Sequence, residues 1–83
     1  KHVVLSRHAR QQMLERGASE DEVIEAITTG ERVPAKHGRM AHRRNFQYHR
    51  TWGGKRYAIK QVMPITKEEK GRTVVITVYT FYF

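Results

Sequence analysis

The sequence predicts an α+β domain in which two N-terminal helices pack on a mostly antiparallel sheet of about four strands, in the order β-α-α-β-β-β. Two stretches that each begin at a serine and end at a glycine fill the first 30 residues, as capped helices do. Later segments are rich in β-branched and aromatic residues, which favours strands. A chain of 83 residues can build one modest core, so we expect a single domain, 1–83.

The first strand and the first helix occupy the start of the chain. The apolar run His2–Leu5 is too short for a helix and contains two valines, so it predicts a strand. Ser6 can cap a helix over Arg7–Arg16, which ends at Gly17, a residue suited to the left-handed conformation. The spacing of the apolar residues in this helix predicts a narrow buried stripe of Ala9, Met13 and Leu14.

A capping box opens the second helix. Ser19 is followed by Glu20, Asp21 and Glu22, and acids are favoured beside the positive end of a helix. These three acids are therefore explained without catalysis. Gly30 ends the helix, and its core face is predicted to consist of Val23, Ile24, Ala26 and Ile27.

The rest of the chain predicts strands separated by turns. We expect a loop over 34–38, strands over 43–51 and 55–63 joined at Gly53-Gly54, a polar turn over 64–71, and a last strand over 73–81. Strict alternation in the last strand separates Val74, Ile76 and Val78 from Thr73, Val75, Thr77 and Tyr79. Two helices can cover only one face of this sheet, which leaves the other for function.

The distribution of charge predicts nucleic acid, and RNA in particular, as the partner. The net charge is +8, and residues 32–60 contain nine Lys or Arg residues, three His and no acid. Such a segment attracts polyanions, and its aromatic residues could stack on bases. A solvated charge run is the alternative. The predicted RNA-binding residues are Arg39, His42, Arg43, Arg44, His49, Arg50, Trp52, Lys55 and Arg56.

Several classes of protein are disfavoured. The chain has no Cys and no apolar run long enough to span a bilayer, and it lacks a signal-peptide pattern. The spacing of His37, His42 and His49 matches no familiar metal-ligand pattern, and we predict neither a metal nor a cofactor. The chain starts at Lys1 rather than Met, which suggests a fragment or a processed product.

Two segments carry a resemblance to known proteins. Ser6-Arg7-His8-Ala9, with Met13 and Arg16-Gly17, and the closing run Thr73 to Tyr79 resemble a small family of bacterial domains long catalogued as uncharacterised. Gln12 and Ala18 depart from its pattern. Such domains look similar to the barnase, EndoU, colicin and RelE-like superfamily. The resemblance implies a RelE-like fold and a metal-independent ribonuclease that acts as a bacterial toxin.

Five residues are candidates for catalysis. In RNA the 2′-OH can attack the adjacent phosphate if a base, an acid and cations assist. His8 matches the family pattern and lies in the first helical turn, where the helix dipole favours a neutral imidazole. Arg16 could clamp a phosphate, although a cation at a helix C-terminus is also common. Strand parity adds Lys60, Thr77 and Tyr79, each with a structural alternative, and His42 and His49 are alternative bases.

These observations lead to three hypotheses. The first is an endoribonuclease toxin domain that cleaves tRNA or mRNA without metal and is neutralised by an acidic immunity protein or antitoxin. It would act in the cytosol, either as a toxin made there or as the C-terminal part of a secreted toxin. The second is a non-catalytic RNA-binding module. The third is a regulatory domain that docks an acidic protein.

Overall fold

The computed structural model describes residues 2–83 as two helices and five strands. A short 3₁₀ turn, Lys36–Gly38, lies between the second and third strands. The α+β class is confirmed, but the sheet has one strand more than predicted. The elements are β1 (His2–Leu5), α1 (Arg7–Arg16), α2 (Glu20–Thr29), β2 (Glu31–Pro34), β3 (Met40–Trp52), β4 (Lys55–Glu69) and β5 (Arg72–Tyr82).

The strands form one mixed sheet with the order β1-β5-β4-β3-β2. β1 runs parallel to β5, and every other neighbouring pair is antiparallel. α1 packs on β5, and α2 packs on β3 and β4. The residues of the two helices and the sheet share one core, which consists of Ala9, Met13, Ala18, Val23, Val62, Val75 and Val78. No element among residues 2–83 covers the opposite face of the sheet, as the sequence predicted.

The predicted helix caps are confirmed. The Ser6 side chain accepts a hydrogen bond from Ala9 N, and Gly17 adopts a φ of 77° at the end of α1. Ser19 and Glu22 form the predicted capping box of α2. The prediction that Leu14 is buried is wrong, because its side chain is 86% exposed. One residue step turns a helix by about 100°, so Leu14 points away from the face that Met13 buries against β5.

β2 is the additional strand, and only its last residue, Pro34, lies in the segment predicted to be a loop. Its four residues pair with β3, from Glu31 opposite Arg43 to Pro34 opposite Met40. The chain reverses through His37 and Gly38, which both have positive φ angles. Pro34 is compatible with this strand because it ends a four-residue strand at the edge of the sheet.

The predicted turn over 64–71 is also wrong, because β4 continues through Pro64 to Glu69. The β3–β4 ladder keeps one register from Ala41–Ile65 to Arg44–Val62 but has no paired residues between them, and Pro64 lies in this gap. Pro64 has no N–H to donate to β3, which accounts for the gap in the ladder. The real turn is Lys70-Gly71, whose two positive φ angles suit a two-residue hairpin.

A bulge in β5 corrects the predicted alternation. Thr66 pairs with Val75 but Ile65 pairs with Thr77, so Ile76 has no residue opposite it. Val75 and Val78, three residues apart, are consequently both fully buried in the core. Strict alternation placed them on opposite faces, and an extra residue in one strand is what shifts the parity.

Candidate nucleic-acid interface

Helix α1 closes the edge of the sheet that β1 leaves open. β1 ends opposite Val75, and beyond that point β5 has no neighbouring strand on this side. Gln12 Oε1 accepts a hydrogen bond from Val78 N at 2.8 Å, and Arg16 Nη1 donates one to Val78 O at 2.7 Å. Ser6 N donates to Val75 O at 3.1 Å. Two side chains of α1 and the backbone N–H of Ser6 thus bond to backbone groups of β5 that would otherwise be unpaired at the edge of the sheet.

Three of the predicted catalytic residues lie together at this edge. The Thr77 hydroxyl donates to Gln12 Oε1, and the Arg16 guanidinium carbon lies 5.2 Å from the centre of the Tyr79 ring. Arg16 keeps further N–H donors besides the one bonded to Val78 O. A cation and an exposed phenol therefore adjoin on the uncovered side of the sheet.

His8 lies on the same helix but does not join this group. It is exposed in the first turn of α1 and eight residues before Arg16. At 1.5 Å per residue, the two positions are about 12 Å apart along the helix axis. Any shared role of His8 and Arg16 would therefore require a substrate long enough to contact both.

Lys60 lies on the opposite, helix-covered side. Its side chain is buried, with the residue 5% exposed. The ammonium donates to Gly17 O at 2.8 Å and lies 2.8 Å from Glu22 Oε1. Strand parity alone did not decide which face of β4 enters the core, and in the structure Val62 and Lys60 face the helices. A buried and paired Lys60 stabilises the packing of α2 and is not displayed to solvent.

Two further cations of the basic segment are paired with acids of α2 and its flank. Arg43 Nε lies 2.6 Å from Glu31 Oε1, and this ion pair lowers the pKa of Glu31. Arg44 Nε lies 2.7 Å from Glu25 Oε2. The segment contains no acid in the sequence, but the fold brings acids to it.

The six remaining Lys and Arg residues of the segment have no ion pair within residues 2–83. They form two separate groups. Arg32, Lys36 and Arg39 surround the 3₁₀ turn, whereas Arg50, Lys55 and Arg56 lie at the β3–β4 hairpin. At about 3.3 Å per residue along β3, Arg39 and Arg50 are roughly 36 Å apart. The predicted patch is therefore two cationic ends rather than one surface.

Most aromatic residues of the basic segment are used in packing. The rings of Tyr48, Trp52 and Tyr57 all contact the Tyr82 ring, with centroid distances of 5.3, 5.0 and 5.7 Å. The Tyr82 hydroxyl donates to Arg16 O at 2.6 Å, and burial raises its pKa. This cluster fixes the end of α1 to the sheet, and Trp52, predicted to bind RNA, is half-buried within it.

The exposed aromatic residues lie instead on the uncovered face of β5. Tyr79, Phe81 and Phe83 are 40%, 44% and 56% exposed. Opposite them on β4 lie Met63 and Gln61. Phe81 and Phe83 were not among the predicted site residues. They follow Tyr79 by two and four residues, and this spacing was the available signal, since alternate residues of a strand share a face.

The two alternative histidine bases differ in surroundings. His49 is exposed, and its Nε2 lies 2.7 Å from Gln47 Oε1. His42 is buried beside a cavity of about 140 Å³, and its Nε2 lies 2.9 Å from Thr66 Oγ1. Its Nδ1 has no hydrogen-bond partner among the described residues. Burial, reinforced by Arg32 and opposed by Glu68, lowers the pKa of His42.

Neither helix within residues 2–83 is long and apolar enough to cross a membrane. Comparison with curated proteins and with solved structures gave no match. A family model for a domain of unknown function, DUF4258, matches residues 5–80, which includes both helices and nearly all of the sheet. The matched region contains the helix that closes the β5 edge and the strand that carries the exposed aromatic residues. The chain therefore belongs to the DUF4258 family of domains of unknown function.

Proposed function

We propose that this chain is an RNA-binding domain that cleaves RNA without a metal ion, with its site at the edge formed by α1 and β5. The observation that carries the proposal is the position of Arg16 beside the exposed Tyr79 ring on the only face that the described elements leave uncovered. A guanidinium can bind a phosphate and an aromatic ring can stack on a base, which are the two contacts that single-stranded RNA offers. A RelE-like arrangement is part of this proposal.

The net charge of +8 supports the same partner. Charge of this size attracts a polyanion over about a Debye length, roughly 8 Å at physiological salt. The unpaired cations at the two ends of β3 would hold the RNA backbone on either side of the central face. Arg43, Arg44 and Lys60, which are already paired, would contribute less.

The reaction would proceed by attack of a ribose 2′-oxygen on the adjacent phosphorus. The new O2′–P bond forms while the P–O5′ bond breaks, which leaves a 2′,3′-cyclic phosphate and a 5′-hydroxyl. A base accepts the 2′-OH proton and an acid donates a proton to the departing 5′ oxygen. We assign one proton transfer to the Tyr79 phenol and the stabilisation of phosphoryl charge to Arg16. We assign the other proton transfer to His8, which must come within hydrogen-bond reach of the same phosphate when RNA binds, because it lies about 12 Å from Arg16 along the helix axis.

The test is to incubate the purified domain with total bacterial RNA in EDTA and to resolve the products on a denaturing gel. The variants are His8→Ala, Arg16→Lys and Tyr79→Phe, with His2→Ala as the control for loss of an exposed histidine. We expect discrete fragments from the parent and the control and at least a hundredfold slower cleavage by His8→Ala. Equal rates for the parent and His8→Ala would remove His8 from the mechanism.

One observation favours a module that binds RNA without cleaving it. His8 has no hydrogen bond or ion pair to any described residue, whereas a catalytic base is usually oriented by a partner group. RNA that stays intact under the same conditions, yet shifts on a native gel, would establish this second function.

An acidic immunity protein or antitoxin is the proposed protein partner, and the cytosol is the proposed site of action. Complementary charge would guide such a partner to the cationic ends of β3. Addition of the partner should abolish RNA binding, and its association rate should fall steeply between 50 and 500 mM salt.

A further inference from the structure

Two exposed aromatic rings on β5 are arranged side by side. The planes of Tyr79 and Phe81 lie within 19° of parallel, and their centroids are 6.4 Å apart. Both rings belong to the uncovered face, because the residues between and beside them, Val78, Thr80 and Tyr82, face the helices. The space between the rings is therefore reached from solvent.

The separation of the rings is close to that required to hold one planar group. Carbon atoms in contact lie about 3.5 Å apart, so a flat ring stacked between two others needs about 7 Å. The centroid distance is the upper limit of the gap between the ring planes, so the rings would have to separate by at least about half an ångström, which rotations of two exposed side chains allow. We propose that Tyr79 and Phe81 form a slot for one unpaired RNA base. This inference rests on the proposed RNA partner and not on cleavage.

The neighbours of the slot suit a nucleotide. The Arg16 guanidinium carbon lies 5.2 Å from the Tyr79 ring centre, where it can bind the phosphate attached to a stacked base. Gln61 lies opposite Phe81, and its amide donates to Asn45 Oδ1 at 2.8 Å. Such amides keep spare donors and acceptors for the edge of a base. The slot thus combines a stacking surface, a cation and polar groups.

Charge argues against the other occupants of an exposed aromatic face. A second copy of the chain would bring another +8 to the same surface. On this face, the acids Glu31 and Glu69 are each paired with a cation, Arg43 and Lys67 respectively. Charge complementarity therefore selects an anion, and stacking selects one with an aromatic ring.

The slot would select RNA by its pairing state. A base inside a duplex is already stacked on both sides and cannot enter between two protein rings. Stacking tolerates every base, because each has a π face. The domain should therefore prefer unpaired over paired RNA of equal length and discriminate weakly among sequences.

The test is equilibrium binding of a fluorescent 2′-O-methyl octanucleotide, which lacks the 2′-OH that cleavage needs. Tyr79→Leu and Phe81→Leu keep an apolar side chain but remove the ring, while Tyr79→Phe keeps the ring. Leu14→Ala is the control, since it removes an exposed apolar side chain outside the proposed interface. We expect each leucine variant to bind about tenfold more weakly and Tyr79→Phe and Leu14→Ala to bind like the parent.

Three results would overturn the slot. They are parent-like affinity in both leucine variants, equal affinity for the octanucleotide and its duplex, and a dimer that forms through this face and dissociates in Phe81→Leu. Cleavage of unmodified RNA in EDTA is measured on the same proteins. Slot-dependent binding without cleavage would contradict the proposed reaction and support the slot. Cleavage by the parent, together with parent-like binding in both leucine variants, would support the proposed reaction and contradict the slot.

Discussion

Gln12 Oε1 accepts a hydrogen bond from the backbone N–H of Val78 at 2.8 Å, and both residues are buried. The same oxygen also accepts from the Thr77 hydroxyl. A single side chain of α1 thereby satisfies the edge of β5 where no strand follows. Gln12 departs from the family pattern that the sequence suggested, and the structure gives it a role in joining helix and sheet.

Replacement of Gln12 should destabilise the fold. Gln12→Ala leaves the buried Val78 N–H without an acceptor, which costs about 1–3 kcal/mol of unfolding free energy. Gln11→Ala is the matched control, because Gln11 is exposed and bonds only to Glu15. Urea unfolding of the two variants measures the difference. A Gln12→Ala variant as stable as Gln11→Ala would show that the edge is satisfied in another way.

Loss of charge on Glu22 should also destabilise the protein. Glu22→Gln preserves the acceptor of the capping box but removes the charge that faces the buried Lys60 ammonium. We expect a cost of about 1–3 kcal/mol, below that of a fully buried pair because Glu22 is partly exposed. Glu20→Gln removes a charge from the same helix end together with an exposed pair with Arg10, and it should cost less than about 1 kcal/mol. Equal stabilities in thermal unfolding would contradict the importance of the Lys60 pair.

Gly17 is required by both its conformation and its neighbours. A Cβ at this position would lie 2.7 Å from the Tyr82 hydroxyl and 2.8 Å from Trp52, and its φ is 77°. Gly53 has a φ of 60° but open space around it. Gly17→Ala should therefore lose more than the roughly 1 kcal/mol expected for Gly53→Ala. If calorimetry gives the same loss of stability for both variants, the Tyr82 and Trp52 side chains make room for the added methyl group at no cost in free energy.

Stability should fall in mild acid because of His42. Burial lowers the pKa of His42 below its unfolded value of 6.5, so the folded state binds the proton less well. The stabilisation is present above pH 6.5 and is lost as the pH falls towards the folded pKa. Urea unfolding between pH 7.5 and 5 should show a smaller loss of stability in His42→Gln than in the parent. Parallel curves would exclude His42 as the source.

The local features of the fold follow from short sequence patterns. Ser6 with Gly17 and Ser19 with Glu22 define both helices because caps act within one turn. Gly53-Gly54 likewise fixes the β3–β4 hairpin. The continuation of β4 through Pro64 and the bulge at Ile76 could not be predicted in this way, because each depends on the register of a partner strand.

The site was predicted only in part for the same reason. His8, Arg16 and Tyr79 were found from a pattern and from strand parity, and the structure places the last two together. The pairing of Arg43 and Arg44 with acids 12 and 19 residues earlier in the chain arises from tertiary contacts. A run of cations in the sequence therefore predicts that a surface is positive, but not how many of its charges remain without an ion pair in the folded protein.

The most direct test of the central claim is single-turnover cleavage in EDTA of an end-labelled oligoribonucleotide, compared with the same oligonucleotide carrying one 2′-deoxy residue. The site is first mapped on the unmodified RNA, and the deoxy residue is then placed immediately 5′ of the scissile phosphate. We predict fragments with a 2′,3′-cyclic phosphate from the first and no cleavage at that position in the second. Intact RNA at protein concentrations that saturate binding would contradict the proposed ribonuclease, and cleavage beside the deoxy residue would contradict attack by the 2′-oxygen.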